Sequence, residues 1–190
     1  RETIDFIIEL INYSIEYYYT SANDSNDIEE IDVYHSGTIT KQLGSYYLWG
    51  IYRGAIHITI PCLLQSIHMA LEKYLLELDK YNTELVRTIL DYMLLKSRSV
   101  SLTAIVASIV MYNPERYWTY ALDLFRTKEL FDYDSIRCMD ESQHSWFIGI
   151  DAWADKNIAQ ERYDSSKLDF RQEKLENICT RYQYYRTTNL

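Results

Sequence analysis

The sequence predicts an all-α protein, a helical array of antiparallel hairpins with HEAT- or armadillo-like stacking and a long charged C-terminal helix. Three observations predict it. Only five Gly and two Pro occur in 190 residues, which favours long uninterrupted elements with short connections. Hydrophobic residues make up 47% of the chain, enough for a sizeable core. From Pro61 to Arg126 apolar residues recur at helical spacing in four segments with short breaks between them. The expected organisation is one helical domain over 1–190: an N-terminal helix and acidic loop (1–43), a helical core (44–145), and a loop with the C-terminal helix (146–190). The chain starts at Arg1 and is expected to be a segment of a larger protein or a processed product.

The first helix is expected from Arg1 to about Thr20. Ile4, Ile7, Ile8, Ile11, Ile15 and Tyr18 fall on one stripe. Residues 21–27, Ser-Ala-Asn-Asp-Ser-Asn-Asp, have loop composition. Residues 28–41 carry weak signals and no assignment. Between Gly44 and Gly54 the density of Tyr46, Tyr47, Trp49 and Tyr52 suggests a short helix. Pro61 suits the first turn of the next helix, because its missing N–H costs little there. That helix places Leu64, Ile67, Leu71, Tyr74, Leu75 and Leu78 on one face.

Thr83 is the expected N-cap of a helix with Val86, Ile89, Leu90, Met93 and Leu94 inward. A helix capped by Ser99 or Ser101 is apolar nearly all round, as a central helix would be. Pro114 then opens a helix carrying Trp118, Ala121, Leu122 and Phe125. Residues 128–155 are mixed. Asp155 to about Tyr185 reads as the long charged helix, with Ile158, Leu168, Leu175, Ile178 and Tyr182 as sparse apolar positions. The spacing of about forty residues from Pro61 to Val100 matches a two-helix repeat unit, without residue-by-residue similarity.

The formal net charge of −9 works against nucleic acid as a partner, since the phosphate backbone would be repelled. Cys62, Cys138 and Cys179 are far apart and odd in number, so they suggest reduced thiols in a cytoplasmic protein. The longest near-apolar run, Ser99 to Tyr112, is too short to span a bilayer. The first residues mix polar and apolar types and do not read as a secretory leader.

Motifs of chemistry are few. No Gly precedes a Lys, so a phosphate-binding P-loop is absent from these residues. There is no G-x-S-x-G and no H-E-x-x-H. Glu141-Ser-Gln-His144 is an E-x-x-H, which on a helix sets a carboxylate and an imidazole on one face. A di-iron bundle needs two such motifs and two more Glu, and Asp32-Val-Tyr-His35 is a poor second. Cys62 lies near a helix start, with His57 and His68 to either side, which is the outline of a Cys/His nucleophile pair. Burial is the commoner fate of such residues. Asp151 and Asp155, four apart, read as a solvated acidic face. The aromatic cluster with Arg53 fits either a binding hot spot or a staple on the Pro61 helix, and the helical spacing favours the staple. Tyr17-Tyr18-Tyr19 and Tyr184-Tyr185 are the better candidates for exposed contact surface.

Several strings resemble helical segments of the large bacterial STAND-type ATPases of antiphage defence, the AVAST group. They are Leu48-Trp49-Gly50-Ile51-Tyr52-Arg53-Gly54, then Pro61 with Met69 to Leu76, and Ser97 to Ser108. Leu124-Phe125-Arg126 with Phe131, Asp134, Arg137 and Glu141 is similar too, as is Arg171 with Lys174-Leu175-Glu176. The resemblance covers roughly 44–141 and part of the last helix, and its strings are packing patterns. It implies a helical scaffold or sensor segment beside an ATPase module outside this chain. Members of the group are thought to recognise phage proteins and then oligomerise. The nucleotide-binding loop of the family is missing here, so no ATPase residue carries over.

Together these features lead us to expect a non-enzymatic scaffold or protein-interaction module of a larger intracellular protein. Its partner would be a protein, an oligomer is allowed, and no catalytic residue, cofactor or metal is assigned. The alternative is a metal-dependent enzyme using Glu141 and His144.

Overall fold

The computed structural model describes residues 2–21, 28–53, 62–142 and 164–188. The chain is mostly helical, with one small antiparallel sheet among the described residues. Its elements are α1 (Glu2–Ser21), β1 (Glu29–His35), β2 (Thr38–Gly44), α2 (Tyr46–Gly50) with a 3-10 turn (Ile51–Arg53), α3 (Cys62–Asp79) and α4 (Thr83–Lys96). There follow α5 (Val100–Tyr112), α6 (Trp118–Leu124), α7 (Lys128–Ser142), a 3-10 turn (Asp169–Arg171) and α8 (Leu175–Thr188).

α5 is the axis of the core. Every residue from Val100 to Met111 is buried, so the helix needs no polar face. It touches α2, α3, α4, α6, α8, β2 and both 3-10 turns. Ser101, Ala104, Ala107 and Ser108 keep its girth small where neighbours crowd. Around it, α4 buries Val86, Ile89, Leu90, Met93 and Leu94, the face its periodicity predicts. α1 buries Ile8, Ile11 and Ile15 against the body. Asn12, also buried, fixes this helix: Nδ2 donates to Lys96 O (2.9 Å), and Oδ1 accepts from Arg98 N (3.0 Å). Its amide thus satisfies one carbonyl at the end of α4 and one N–H in the following corner.

Residues 29–44 form a β-hairpin, so the architecture is not purely helical. Ile31, Val33 and His35 are buried, while Glu29, Glu30 and Asp32 are exposed. Ser36 (φ 47°) and Gly37 (φ 79°) make the two-residue turn, both in the left-handed region that the strand twist favours. Ser36-Gly37 between alternating segments is a hairpin signal, and the short alternation of 31–35 hides it beside an acidic loop. Leu43 N donates to Arg98 O (2.8 Å), tying the hairpin to the corner between α4 and α5. Gly44 sits where a side chain would collide: a Cβ there would lie 2.8 Å from the Tyr133 hydroxyl.

The C-terminal region also departs from expectation. The predicted helix from Asp155 is not continuous within the described part, because the chain turns at Asp169–Arg171 before α8 starts at Leu175. The break points Arg171 inward to a buried carboxylate, and Asp134 Oδ2 then accepts from Leu175 N (2.9 Å) to start the new helix. Leu168 is exposed, whereas Leu175 and Ile178 are buried as expected. Smaller corrections are local. Asn82, not Thr83, caps α4, accepting from Leu85 N at 3.0 Å. A turn occupies 114–117, so α6 begins at Trp118, which is exposed along with Leu122 and Tyr74. Pro61 lies outside the described residues.

Candidate functional site

Among the described residues three groupings of polar side chains bear on function, two of them buried and one in an open cleft, and α1 adds an outer surface. The first grouping is a buried lattice of charge. Glu72 of α3 holds Arg171 with both oxygens, each at 2.6 Å, and also accepts from Ser108 Oγ. Asp134 Oδ1 accepts from Arg137 Nε (2.7 Å) and Trp49 Nε1 (3.2 Å). Glu141 lies between Arg137 (3.0 Å) and Arg53. Arg137 further donates to Arg171 O (3.0 Å) and Glu173 O (2.7 Å). Glu72, Asp134, Arg137 and Arg171 are all buried. Arg suits this role because its fork engages a carboxylate and several carbonyls at once. Tyr52, fully buried over this lattice, has its hydroxyl pushed above the usual phenol range by burial.

The lattice settles the surroundings of the E-x-x-H carboxylate. Glu141 is occupied by two guanidinium groups, and a cation there would compete with both. His144 lies outside the described residues, as do His57, Asp151 and Asp155. Asp32 and His35, three apart, share a strand and not a helix, so they face opposite sides. Among the described residues no three His, Cys, Asp or Glu groups converge as metal ligands. The Cys62 side chain falls outside the described ones, and Cys138 and Cys179 are free thiols at half-buried positions. In the aromatic cluster Trp49 and Tyr52 are buried and Tyr46 and Tyr47 partly so; the expected staple on α3 is made mainly by the 3-10 turn that carries Tyr52. The short helix packs on α5 and α7, and its 3-10 turn on α3.

The second place has the outline of a Ser/His pair. His68 Nδ1 lies 2.7 Å from Leu64 O, and Nε2 lies 2.9 Å from Ser101 Oγ. Nδ1–H therefore donates to the carbonyl and Nε2 accepts from the Ser101 hydroxyl, which in turn accepts from Ser99 Oγ (2.9 Å). Burial lowers the imidazole to about 4, with the Leu64 hydrogen bond opposing. His68 and Ser101 are each 0% exposed. No substrate reaches a hydroxyl in that position, and the pair serves to knit α3 to α5.

The third is an open cleft of about 340 Å³ between the hairpin tip, α4 and α6. His35 lies inside it, its Nε2 3.1 Å from Asp91 Oδ1 and its Nδ1 3.2 Å from Asp123 Oδ2. Each ring nitrogen thus faces a carboxylate oxygen. Tyr120 stacks on the ring at 5.8 Å and donates to Asp91 Oδ1 (2.7 Å), and Ser36 N donates to Asp123 Oδ2 (2.9 Å). The hydroxyl of Tyr120 is pushed up by burial and by Asp91. Each acid–base group here is engaged by a neighbour. The arrangement clamps the hairpin tip onto the helices, and its acids sit on opposite ring nitrogens instead of converging.

The outer surface of α1 is different in kind. Phe6, Tyr13 and Tyr17 are 67%, 65% and 65% exposed. Of the expected tyrosine surface, Tyr17 and Tyr184 are exposed, Tyr18 is half-buried, and the side chains of Tyr19 and Tyr185 lie outside those described. Among the described residues no helix is long and apolar enough to cross a membrane. No protein-family profile matches the chain, and no curated protein matches its sequence.

Proposed function

We propose that the chain is a non-enzymatic helical scaffold that presents a surface to a protein partner. One observation carries this reading: the outer face of α1 keeps three large aromatic rings in solvent on a helix anchored from behind by Asn12 and three isoleucines. Contiguous exposed apolar patches mark contact surfaces, and aromatic rings are enriched in them. Among the described residues the charged lattice, the His68–Ser101 pair and the His35 clamp support it from the other side, since their acid–base groups engage one another or the backbone. For the finer architecture, α3, α4 and α5, joined through short corners at 80–82 and 97–99, form the unit we read as HEAT- or armadillo-like.

The setting we propose is cytoplasmic, as a sensor or regulatory segment of a larger protein, with a STAND-type ATPase as the parent that the sequence resemblance suggests. The complete reading frame tests the parent, through a Walker motif outside these residues. The scaffold role is tested with the full chain as bait and, separately, as enzyme. The reading expects a protein partner retained at physiological salt and no turnover. Turnover of a small substrate by the purified chain, lost in His144→Ala together with bound metal, overturns it in favour of the enzyme.

A further inference from the structure

α1 carries two apolar seams: Ile8, Ile11 and Ile15 on one are buried, and the residues of the other are exposed or half-buried. Away from the buried isoleucines lie Phe6, Leu10, Tyr13 and Tyr17, spaced four, three and four residues apart. That alternation is the a/d spacing of a helix that packs lengthwise against another helix. Leu10 is half-buried and the three rings are exposed. Tyr13 and Tyr17 stack with centroids 6.1 Å apart and an interplanar angle of 17°, so part of the seam is ordered before any partner arrives.

Charge selects the occupant. With Phe6 and Tyr13 at d and Leu10 and Tyr17 at a, the g positions are Glu2, Glu9 and Glu16, a glutamate every seven residues. These are the positions that set partner choice in paired helices. Asp5 adds to the acidity, and the helix from Glu2 to Ser21 contains neither Lys nor Arg. A second copy laid on this seam would bring two acidic helices together, which opposes self-pairing. The row already attracts a guanidinium from its own chain. Arg98 reaches across from the α4–α5 corner, 3.4 Å from Glu9 Oε2 and 3.0 Å from Glu16 Oε2, with all three side chains substantially exposed.

We propose that the outer face of α1 docks a basic amphipathic helix of a partner protein. Its apolar residues fill the Phe6–Tyr17 seam, and its Lys or Arg side chains lie along the glutamate row. This deepens the scaffold reading and rests on it. The probe is a synthetic helix of about three heptads with Leu at a and d and Lys at e and g. A control peptide carries Glu at e and g. Both are titrated into the full chain by calorimetry at low and high salt.

The Lys peptide is expected to bind at least about tenfold tighter than the Glu peptide, and to weaken as salt rises. Phe6→Ala with Tyr13→Ala, which removes the rings without adding charge, abolishes binding while the thermal transition is retained. Arg98→Gln, which removes the guanidinium that reaches Glu9 and Glu16, tightens it. Equal affinity for the two peptides, or undiminished binding by the double variant, overturns the proposal. A concentration-dependent dimer that Tyr13→Glu dissolves also overturns it, by making a second copy the occupant. Failure of both peptides, alongside a protein partner cross-linked to another face, sinks this inference and leaves the scaffold reading standing. Failure of both with turnover of a substrate sinks the two together.

Discussion

The interior lattice and the outer face of α1 treat charge in opposite ways. Inside, Glu72, Asp134 and Glu141 close on Arg53, Arg137 and Arg171. Outside, Glu2, Glu9 and Glu16 stand beside exposed rings, and Arg98 spans two of the three. Burying a charge costs several kcal/mol, which only a complete set of partners offsets. An exposed pair costs little and contributes little. The contrast teaches that mutations inside should damage stability, whereas mutations on α1 should spare it and reach only association.

The contrast breaks first at Glu72. Glu72→Ala strands the Arg171 guanidinium in the core and should cost about 3–5 kcal/mol in urea unfolding. A loss under about 1 kcal/mol would mean that water reaches the lattice. Glu72→Ala combined with Arg171→Met should recover most of the loss, because the cost lies in the unpaired charge.

His68 gives the next largest effect and a pH test. Its folded-state value of about 4 lies below the ordinary 6.5. The unfolded chain therefore takes up the proton first as pH falls. Stability should decline from about pH 6.5 down to about pH 4 and then level off, by about 3 kcal/mol in total from this group. His68→Gln should remove that part of the slope. An unchanged profile would show that the imidazole is hydrated.

Gly44→Ala forces the Tyr133 ring or Ile31 to move and should cost about 1–3 kcal/mol. Thermal unfolding reads this directly. The smallest effect belongs to the other half of the comparison. Tyr13→Glu should change stability by no more than about 0.5 kcal/mol. A larger loss would place that ring in the core and remove the distinction between the two regions.

Legibility in the sequence follows the same division. Helices with a dense helical-period apolar pattern were legible: the isoleucine stripe of α1, the five inward residues of α4, and α5, apolar nearly all round and buried from Val100 to Met111. The hairpin was harder, because Ile31, Val33 and His35 alternate over too few residues to outweigh the acidic loop before them. The break ahead of α8 was not legible at all. Arg171 reads as a solvated charge on a charged helix until α3 supplies Glu72, nearly a hundred residues away in sequence. The His35 clamp needed the same long-range information, since Asp91 and Asp123 are brought to it by two other helices. The second seam of α1 was present in the spacing of Phe6, Leu10, Tyr13 and Tyr17. Only the fold tells which seam is covered.

The most direct test of the account places a photo-crosslinking residue at position 13, on the outer face of α1, and separately at position 81. Tyr81 is 87% exposed at the corner after α3, off the proposed surface. The account predicts a discrete cross-linked protein product from position 13 and none from position 81. Equal products from both positions, or a product from position 81 alone, would contradict it.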